Sequence, residues 1–218
     1  MKIDHFMWGA PSLEQGIEQA RKLFGVEAAY GGPHPGMGTH NALMSLGEVY
    51  LEIIAPDPNQ PELGNLAQSL TTMDECALVT WAAAQTGLSG LKQTLSAQNI
   101  SAAGPVPTKR NAPDGTLLEW ELLFPGKHDL GGGVPFFIDW LKCTHPSEVS
   151  PSAGQFNKLI IQSPESAKLI AFFNALELDV EVNQASEFSM AVDITGLDGR
   201  SAIQLNTTPF STSLSLSG

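Results

Sequence analysis

The densest group of side chains able to do chemistry lies between residues 34 and 56. His34, His40, Asn41 and Glu52 occupy this stretch, together with a Gly- and Pro-rich segment and two apolar runs. Imidazole nitrogens and carboxylate oxygens can transfer protons or bind a divalent metal, and an asparagine amide can orient either group. The segment is therefore the first candidate for a functional site.

Further candidates lie outside this segment, at His5, Trp8, Arg110, Asp139, Trp140 and His145. Asp139 falls inside an apolar run, and a buried carboxylate is costly unless it has a partner. Trp140 either lines a site or belongs to the core. Arg110 either binds a substrate anion or lies in a solvated loop. His34, between Gly- and Pro-rich pieces, either orders a loop or reaches the site.

The charge balance limits the classes of partner. Acidic residues outnumber basic ones by 23 to 11, for a net charge of -12. This argues against nucleic acid and against anionic membranes, which both need a basic surface. Cys76 and Cys143 form no C-x-x-C pair and indicate free thiols in a reducing compartment. With no signal peptide and no long apolar run, we expect a cytoplasmic protein that binds a small molecule.

The elements that position these side chains repeat along the chain. Ser12 and Gly25 bracket a helix with apolar residues at helical spacing, and β-type runs surround it, giving the order β-α-β-β-β. The same order returns twice, with the clearest match between the first and third copies. We predict units at 1–56, 77–146 and 147–210, a linker at 57–76, and a disordered tail at 211–218.

Strand alternation predicts which side chains share a face. A two-residue turn at Gly47-Glu48 pairs Leu46 with Val49, since glycine suits the first position of a type II′ turn. One face then carries Asn41, Leu43, Ser45, Tyr50, Glu52 and Ile54. The other, nearly all apolar, carries His40, Ala42, Met44, Leu46, Val49, Leu51 and Ile53. An odd-length loop would reverse this assignment.

Several strings resemble the vicinal oxygen chelate superfamily, which includes glyoxalase I, extradiol dioxygenases and bleomycin-resistance proteins, and within it a glyoxalase-like domain family. They are Asp4-His5, His34-Pro35-Gly36-Met37-Gly38-Thr39-His40-Asn41-Ala42-Leu43, Tyr50-Leu51-Glu52-Ile53-Ile54-Ala55, and Pro135-Phe136-Phe137-Ile138-Asp139-Trp140 followed by His145-Pro146. The resemblance spans nearly the whole chain. It implies an α+β fold of repeated βαβββ units whose curved mixed sheets form a cup.

The resemblance also implies a divalent metal, held by the first and last strands of paired units. Carried over, the first-unit ligands are His5 and Glu52, which suit Zn, Fe, Mn or Ni. The third-unit positions are Lys158 and Gln204, and an ammonium group has no lone pair for a metal. Asp139 of the second unit is the alternative ligand. The implied four-ligand site is thus half present.

Two functions from different classes follow. The first is a lyase, isomerase or dioxygenase-type enzyme acting on a small oxygenated metabolite, in which His5 and Glu52 hold the metal or act as an acid–base pair. In it Asn41 and Asp139 complete the site, Trp8 and Trp140 line it, and His34, His40, His145 and Arg110 are candidate substrate contacts. The second is a metal-free protein that sequesters an apolar ligand. The superfamily's habit of pairing units across chains also suggests a homodimer.

Overall fold

The computed structural model describes residues 1–112 and 115–209, so the predicted tail lies outside the described residues. The strands are β1 (Lys2–Gly9), β2 (Ala29–His34), β3 (Thr39–Ser45), β4 (Tyr50–Pro56), β5 (Ala77–Ala84), β6 (Ala102–Asn111), β7 (Leu117–Pro125), β8 (Phe136–Asp139), β9 (Gln155–Ser163), β10 (Glu181–Gln184), β11 (Ser189–Thr195) and β12 (Ala202–Asn206). The helices are α1 (Leu13–Phe24), α2 (Asn65–Leu70), α3 (Leu88–Ala97), α4 (Pro146–Val149) and α5 (Ser166–Ala175). None of the described helices is long and apolar enough to cross a membrane.

Helix α1 forms as its sequence predicts. The Ser12 hydroxyl accepts a hydrogen bond from the backbone N–H of Gln15, which satisfies one of the free donors at the helix start. Gly25 ends the helix with φ +71°, a conformation that glycine adopts without steric cost. Gly16 lets the helix approach the sheet, because a Cβ there would lie 2.5 Å from the Ile53 side chain.

The first two units join in one eight-stranded sheet with the order β2-β3-β4-β1-β5-β8-β7-β6. Within each unit the first strand pairs in parallel with the fourth, and β1 pairs with β5 in antiparallel fashion. Phe6 is the partner of Trp81 at the centre of the β1–β5 pair. The sheet curls into a half-barrel, so the predicted fold of repeated units around a cup is confirmed. One chain supplies both halves of the cup.

The third unit has the predicted element order but a different strand pairing. Its four-stranded sheet runs β10-β9-β11-β12, so its first strand lies between the second and the third. The expected close correspondence with the first unit therefore does not extend to topology. Lys158 pairs with Glu181 at 3.1 Å and Gln204 donates to Asp193 at 2.7 Å, and both positions are exposed. Neither Lys158 nor Gln204 belongs to the cup.

The third unit covers the convex side of the eight-stranded sheet. The ring of Phe156 packs on Phe6 at 5.1 Å between centroids, and Phe173 packs on Trp81 at 5.8 Å. The backbone N–H of Phe156 also donates to the Leu46 carbonyl at 2.9 Å. The third unit thus buries the apolar back of the cup at its centre.

The stretch predicted as a linker contains helix α2. Ala67 and Leu70 are buried, and Leu70 packs in one cluster with Met7 and Ile54. The polar, Pro-containing composition of residues 57–76 concealed this short apolar face. The connection between the first two units is therefore part of the wall of the cup.

Candidate functional site

The concave side of the eight-stranded sheet encloses a cavity of about 730 Å³. Strands of both cup-forming units line it, and the third unit adds Phe188 and Met190. At one end the lining side chains are polar and buried, whereas most of the remaining wall is apolar and aromatic. A concave, mainly apolar pocket with a few convergent polar groups is the usual form of a small-molecule site.

The hairpin register that places the polar groups is the predicted one. Leu43 pairs with Glu52 and Asn41 with Ile54, and Gly47 has φ +89° in the turn. The predicted polar face supplies the cavity with Asn41, Leu43, Tyr50, Glu52 and Ile54. The opposite face enters the main core with Ala42, Met44, Leu46, Val49, Leu51 and Ile53. The two-residue turn thus fixes which side chains reach the cavity.

Glu52 lies at the centre of the polar end and is 6% exposed. Its Oε1 atom accepts a hydrogen bond from Asn41 Nδ2 at 2.7 Å. Its Oε2 atom lies 3.6 Å from His5 Nε2, beyond hydrogen-bonding distance. One carboxylate oxygen is therefore held, and the other is available to a ligand.

His5 is oriented from behind by the carboxylate of Asp4. The His5 Nδ1 atom lies 2.6 Å from Asp4 Oδ1, so the Nδ1–H donates to Asp4 and Nε2 faces Glu52. The ring stacks on Tyr50 at 4.5 Å between centroids. Burial, together with Asp4 and Glu52, raises the pKa of Tyr50 well above its usual value, so Tyr50 remains a neutral phenol.

Asp4 is fully buried and receives three donors. His145 Nε2 lies 3.1 Å from Oδ2, and Trp140 Nε1 donates at 3.2 Å, in addition to His5. Burial raises the pKa of Asp4, but the hydrogen bonds from His145 and His5 outweigh burial and lower it to about 2. Simple alternation put Asp4 opposite His5, and so its role was missed. A register shift between Ile3 and His5, a β-bulge, allows the Asp4 carboxylate to contact both His5 and His145.

His34 belongs to the same polar cluster. Its Nδ1 lies 2.8 Å from the Thr39 hydroxyl, and its Nε2 accepts from Asn41 Nδ2 at 3.1 Å. Burial lowers its pKa despite the neighbouring Glu52 carboxylate. His34 is therefore a neutral imidazole that helps to hold Asn41 against Glu52.

Arg110 reaches the polar end from the opposite edge of the sheet. It is 8% exposed, and its Nη1 donates to the Gly31 carbonyl and, at 3.4 Å, to Asn41 Oδ1. Burial lowers its pKa, but a guanidinium keeps its charge at neutral pH. Arg110 thus brings a positive charge to the cluster and lies in a strand rather than in a solvated loop.

The structure places three predicted site residues, Trp8, His40 and Asp139, away from this cluster, whereas His145 contacts Asp4 without lining the cavity. Trp8 is buried in the core on the convex side, because it alternates with Met7. His40 lies beside Tyr30 on the face opposite Asn41. Asp139 accepts hydrogen bonds from the backbone N–H groups of Gly87 and Leu141, and with His145 it lines a second, outer depression. Of the two tryptophans, Trp140 lines the cavity and Trp8 does not.

The second half of the cup presents different side chains at the positions that correspond to His5 and Glu52. A twofold axis through the Phe6–Trp81 pair relates His5 to Thr80. Phe136 pairs with Ala82 as Glu52 pairs with Met7, so Phe136 corresponds to Glu52. Neither threonine nor phenylalanine is a usual ligand of a transition metal. The Phe136 ring instead lies edge-on to His5, at 5.4 Å.

The residues present do not fit the four-ligand metal site that the resemblance implied. His5 and Glu52 have no ligating counterparts in the second unit, and the Asn41 amide lies between Glu52 and His34. Within residues 1–112 and 115–209, no group of three or more His, Cys, Asp or Glu side chains has a geometry that could hold a metal ion. The polar cluster is held together by hydrogen bonds among its own side chains.

The curled sheet of paired βαβββ units defines a protein of the vicinal oxygen chelate type. A family model described as a glyoxalase-like domain matches residues 3–176, and the chain belongs to that family. The predicted resemblance is thereby confirmed. A comparison with curated proteins gives no match.

Two solved structures illustrate the fold. A hypothetical protein from Staphylococcus aureus superposes with a TM-score of 0.66 at 16% identity, covering 95% of this chain and 86% of that chain. A selenomethionine-labelled methylmalonyl-CoA epimerase gives a TM-score of 0.50 at 16% identity, covering 65% of this chain and 97% of that chain. At such low identity these likenesses show the fold alone.

Proposed function

We propose that the protein is an enzyme that transfers a proton at a carbon next to a carbonyl group of a small organic molecule. The observation that carries the proposal is the pair formed by Glu52 Oε2 and His5 Nε2, 3.6 Å apart in the cavity. Each group is fixed on its far side, Glu52 by Asn41 and His5 by Asp4. Two oriented bases with free lone pairs suit general acid–base catalysis.

In this reaction Glu52 takes the proton from the carbon, the C–H electron pair forms a C=C bond, and the carbonyl π pair moves to the oxygen to give an enolate. The proton passes from Glu52 to His5 Nε2, which lies 3.6 Å from Glu52 Oε2, and His5, held by Asp4, returns it to the carbon or exchanges it with solvent. Neutral Tyr50 stacks on His5 and fixes the plane of its ring. The donor set does not fit a metal, so each step is assigned to side chains of this chain.

The cavity limits the substrate to a small molecule with an apolar part. Trp120 and Trp140 pack together at 5.6 Å between ring centroids, and Phe124 stacks with Phe136 at 5.7 Å. These rings form a wall across from Glu52 that offers van der Waals and aromatic contacts. The substrate's reactive carbon would lie at the polar end and its apolar part against this wall.

Hydrogen exchange with solvent tests the proposal without knowledge of the product. A panel of small 2-oxo acids, 3-oxo acids and ketones is incubated in D₂O, and loss of the proton next to the carbonyl is followed by NMR. We expect exchange of at least one compound, slowed about 10²- to 10⁴-fold by Glu52→Gln. Glu48→Gln, which changes an exposed carboxylate in the same hairpin, should exchange at the wild-type rate. Exchange that survives in Glu52→Gln would exclude Glu52 as the base.

A second function, ligand sequestration, is favoured by the apolar wall. A protein that only binds would need the aromatic rings but no free pair of bases. Tight binding of aromatic compounds with no exchange of any panel member would support sequestration. Under that outcome Glu52→Gln would change affinity alone.

A further inference from the structure

Among the described residues that line the cavity, Arg110 is the only lysine or arginine, and it is more than nine-tenths buried. It lies near the end of β6, one edge of the eight-stranded sheet, and donates to Gly31 in β2, the other edge. Its neighbour Lys109 is exposed. Strand alternation therefore directs one cation into the cavity and the next into solvent.

The hydrogen bonds of Arg110 are incomplete. Its acceptors are the Gly31 carbonyl and Asn41 Oδ1, which are both neutral. Its Nε is buried without an acceptor, and no carboxylate in the described part of the chain lies within 4 Å of the guanidinium. A buried cation with an unfilled donor destabilises the fold unless an anion completes it.

The backbone around Arg110 is shaped to admit the guanidinium. Gly32 has φ +126°, and a Cβ at that position would lie 2.6 Å from Arg110 Nη1. At Gly31 a Cβ would lie 2.2 Å from Asn41 Oδ1, the acceptor of the 3.4 Å bond. The absence of a side chain at Gly31 and Gly32 thus leaves the space that the Arg110 guanidinium and the Asn41 amide occupy. The sequence keeps this costly group in the cavity instead of filling the space with an apolar residue.

We infer that Arg110 binds a carboxylate of the ligand, and that the ligand is a carboxylic acid with an aromatic or apolar body. A guanidinium presents donors in a planar fork that matches a carboxylate. Thr108, on the same face of β6, pairs with Trp120, so the aromatic wall begins beside Arg110. A phenyl-substituted acid has the charge and the ring that these two surfaces recognise.

This inference deepens the proposed function and rests on it for the role of the cavity as substrate site. If both hold, the substrate is an oxo acid whose carboxylate lies at Arg110 and whose reactive carbon lies at Glu52. Asn41 is hydrogen-bonded to both Glu52 Oε1 and Arg110 Nη1, so the carboxylate of Glu52 and the guanidinium of Arg110 are separated by one side chain. Binding of the carboxylate itself requires no turnover.

The test compares phenylacetate, 3-phenylpropionate and 4-phenylbutyrate with their neutral amides, by calorimetry and by quenching of tryptophan fluorescence. We expect at least one acid to bind about tenfold or more tightly than its amide, as a charge-assisted hydrogen bond would give. Arg110→Gln and Arg110→Lys should reduce that preference, and the loss should be larger in the glutamine variant. Lys109→Gln removes the same charge from the same strand and should preserve the preference.

The alternative is that Arg110 only clamps the two sheet edges together. In that case its replacement would weaken acid and amide equally, and this result would overturn the inference. Equal wild-type affinity for acids and amides, or no binding of any acid at millimolar concentration, would overturn it too. Ligand binding and proton exchange are measured separately. A preference for carboxylates without proton exchange in the wild type would therefore reject the proposed function and leave this inference standing.

Discussion

The two halves of the cup share a scaffold but differ in what they place inside it. Both have the strand order 1-4-3-2, and they meet at the Phe6–Trp81 pair. The first half lines the cavity with His5 and Glu52, whereas the second places Thr80 and Phe136 at the corresponding positions. One half therefore carries the groups to which proton transfer is assigned in the proposed function, and the other mainly carries the apolar and aromatic wall. Arg110 is the exception, a second-half residue that reaches into the polar end.

This difference means that the two halves do not offer the symmetric set of metal ligands that the resemblance implied. A four-ligand centre needs donors from both halves, and replacement of one pair removes it. The remaining pair, His5 and Glu52, is the one to which the proposed proton transfer is assigned. In this protein Asp4 and Asn41 fix the orientation of that pair, a task that coordination would otherwise perform.

The largest expected effect is on stability, and it tests whether Phe6 of the first half and Trp81 of the second half contribute equally to the packing between the cup and the third unit. Trp81→Ala and Phe6→Ala each remove a buried ring that contacts the third unit, so each should lower the free energy of unfolding by about 3 to 5 kcal/mol. Trp81 also loses the hydrogen bond from its Nε1 to the Gly133 carbonyl, 2.8 Å long. Denaturant unfolding measures both.

Tyr30→Ala provides the control for loss of an aromatic side chain, because Tyr30 is 50% exposed. Its free energy of unfolding should change far less. A small effect at Phe6 beside a large one at Trp81 would show that the third unit stabilises only one half of the cup.

The sequence predicts the hairpin in detail but not the partners of its units. The turn at Gly47-Glu48 sets the parity of both strands, so placing Glu52 with Asn41 needs only local rules. Which unit completes the cup depends on long-range strand pairing, and the order of elements along the chain does not predict that pairing. The third unit repeats that order of elements, yet its first strand, β9, lies between β10 and β11, whereas β1 and β5 lie beside the fourth strand of their units.

Two site residues show the same limit. Alternation places His5 and Asp4 on opposite faces, and only the bulge explains how Asp4 contacts both His5 and His145. The sequence offered Asp139 as the second-half ligand, but strand pairing gives that position to Phe136, three residues earlier. Phe136 and Ile138 line the cavity instead, and the carboxylate of Asp139 accepts backbone N–H groups outside it.

The second prediction tests whether Asp4, in the first half of the cup, makes the stability of the protein depend on pH in acid. The pKa of Asp4 in the folded protein is about 2, below its ordinary value of 3.8, so the carboxylate contributes stability above about pH 4 that is lost as the pH falls toward 2. The contribution is about 2 kcal/mol. Asp4→Asn should therefore be less stable than wild type at pH 7, and the gap should narrow between pH 4 and pH 2.

Urea unfolding at a series of pH values gives this difference directly. Asp57→Asn is a useful comparison, since Asp57 is also buried and its hydrogen bonds come from Gln60 and Asn59 rather than from histidines. A gap between wild type and Asp4→Asn that stays constant with pH would mean that the charge of Asp4 contributes nothing.

The smallest expected effect separates the third unit from the cup. Lys158 was aligned with His5 from sequence, but it is exposed and makes a surface ion pair with Glu181. Such pairs contribute little, because solvent screens them and two flexible side chains must be ordered. Lys158→Gln should leave the melting temperature and the rate of hydrogen exchange unchanged, whereas His5→Gln should slow that exchange. If Lys158→Gln slowed exchange as His5→Gln does, the charge of Lys158 would contribute to the site, and the assignment of proton transfer to the first half alone would fail.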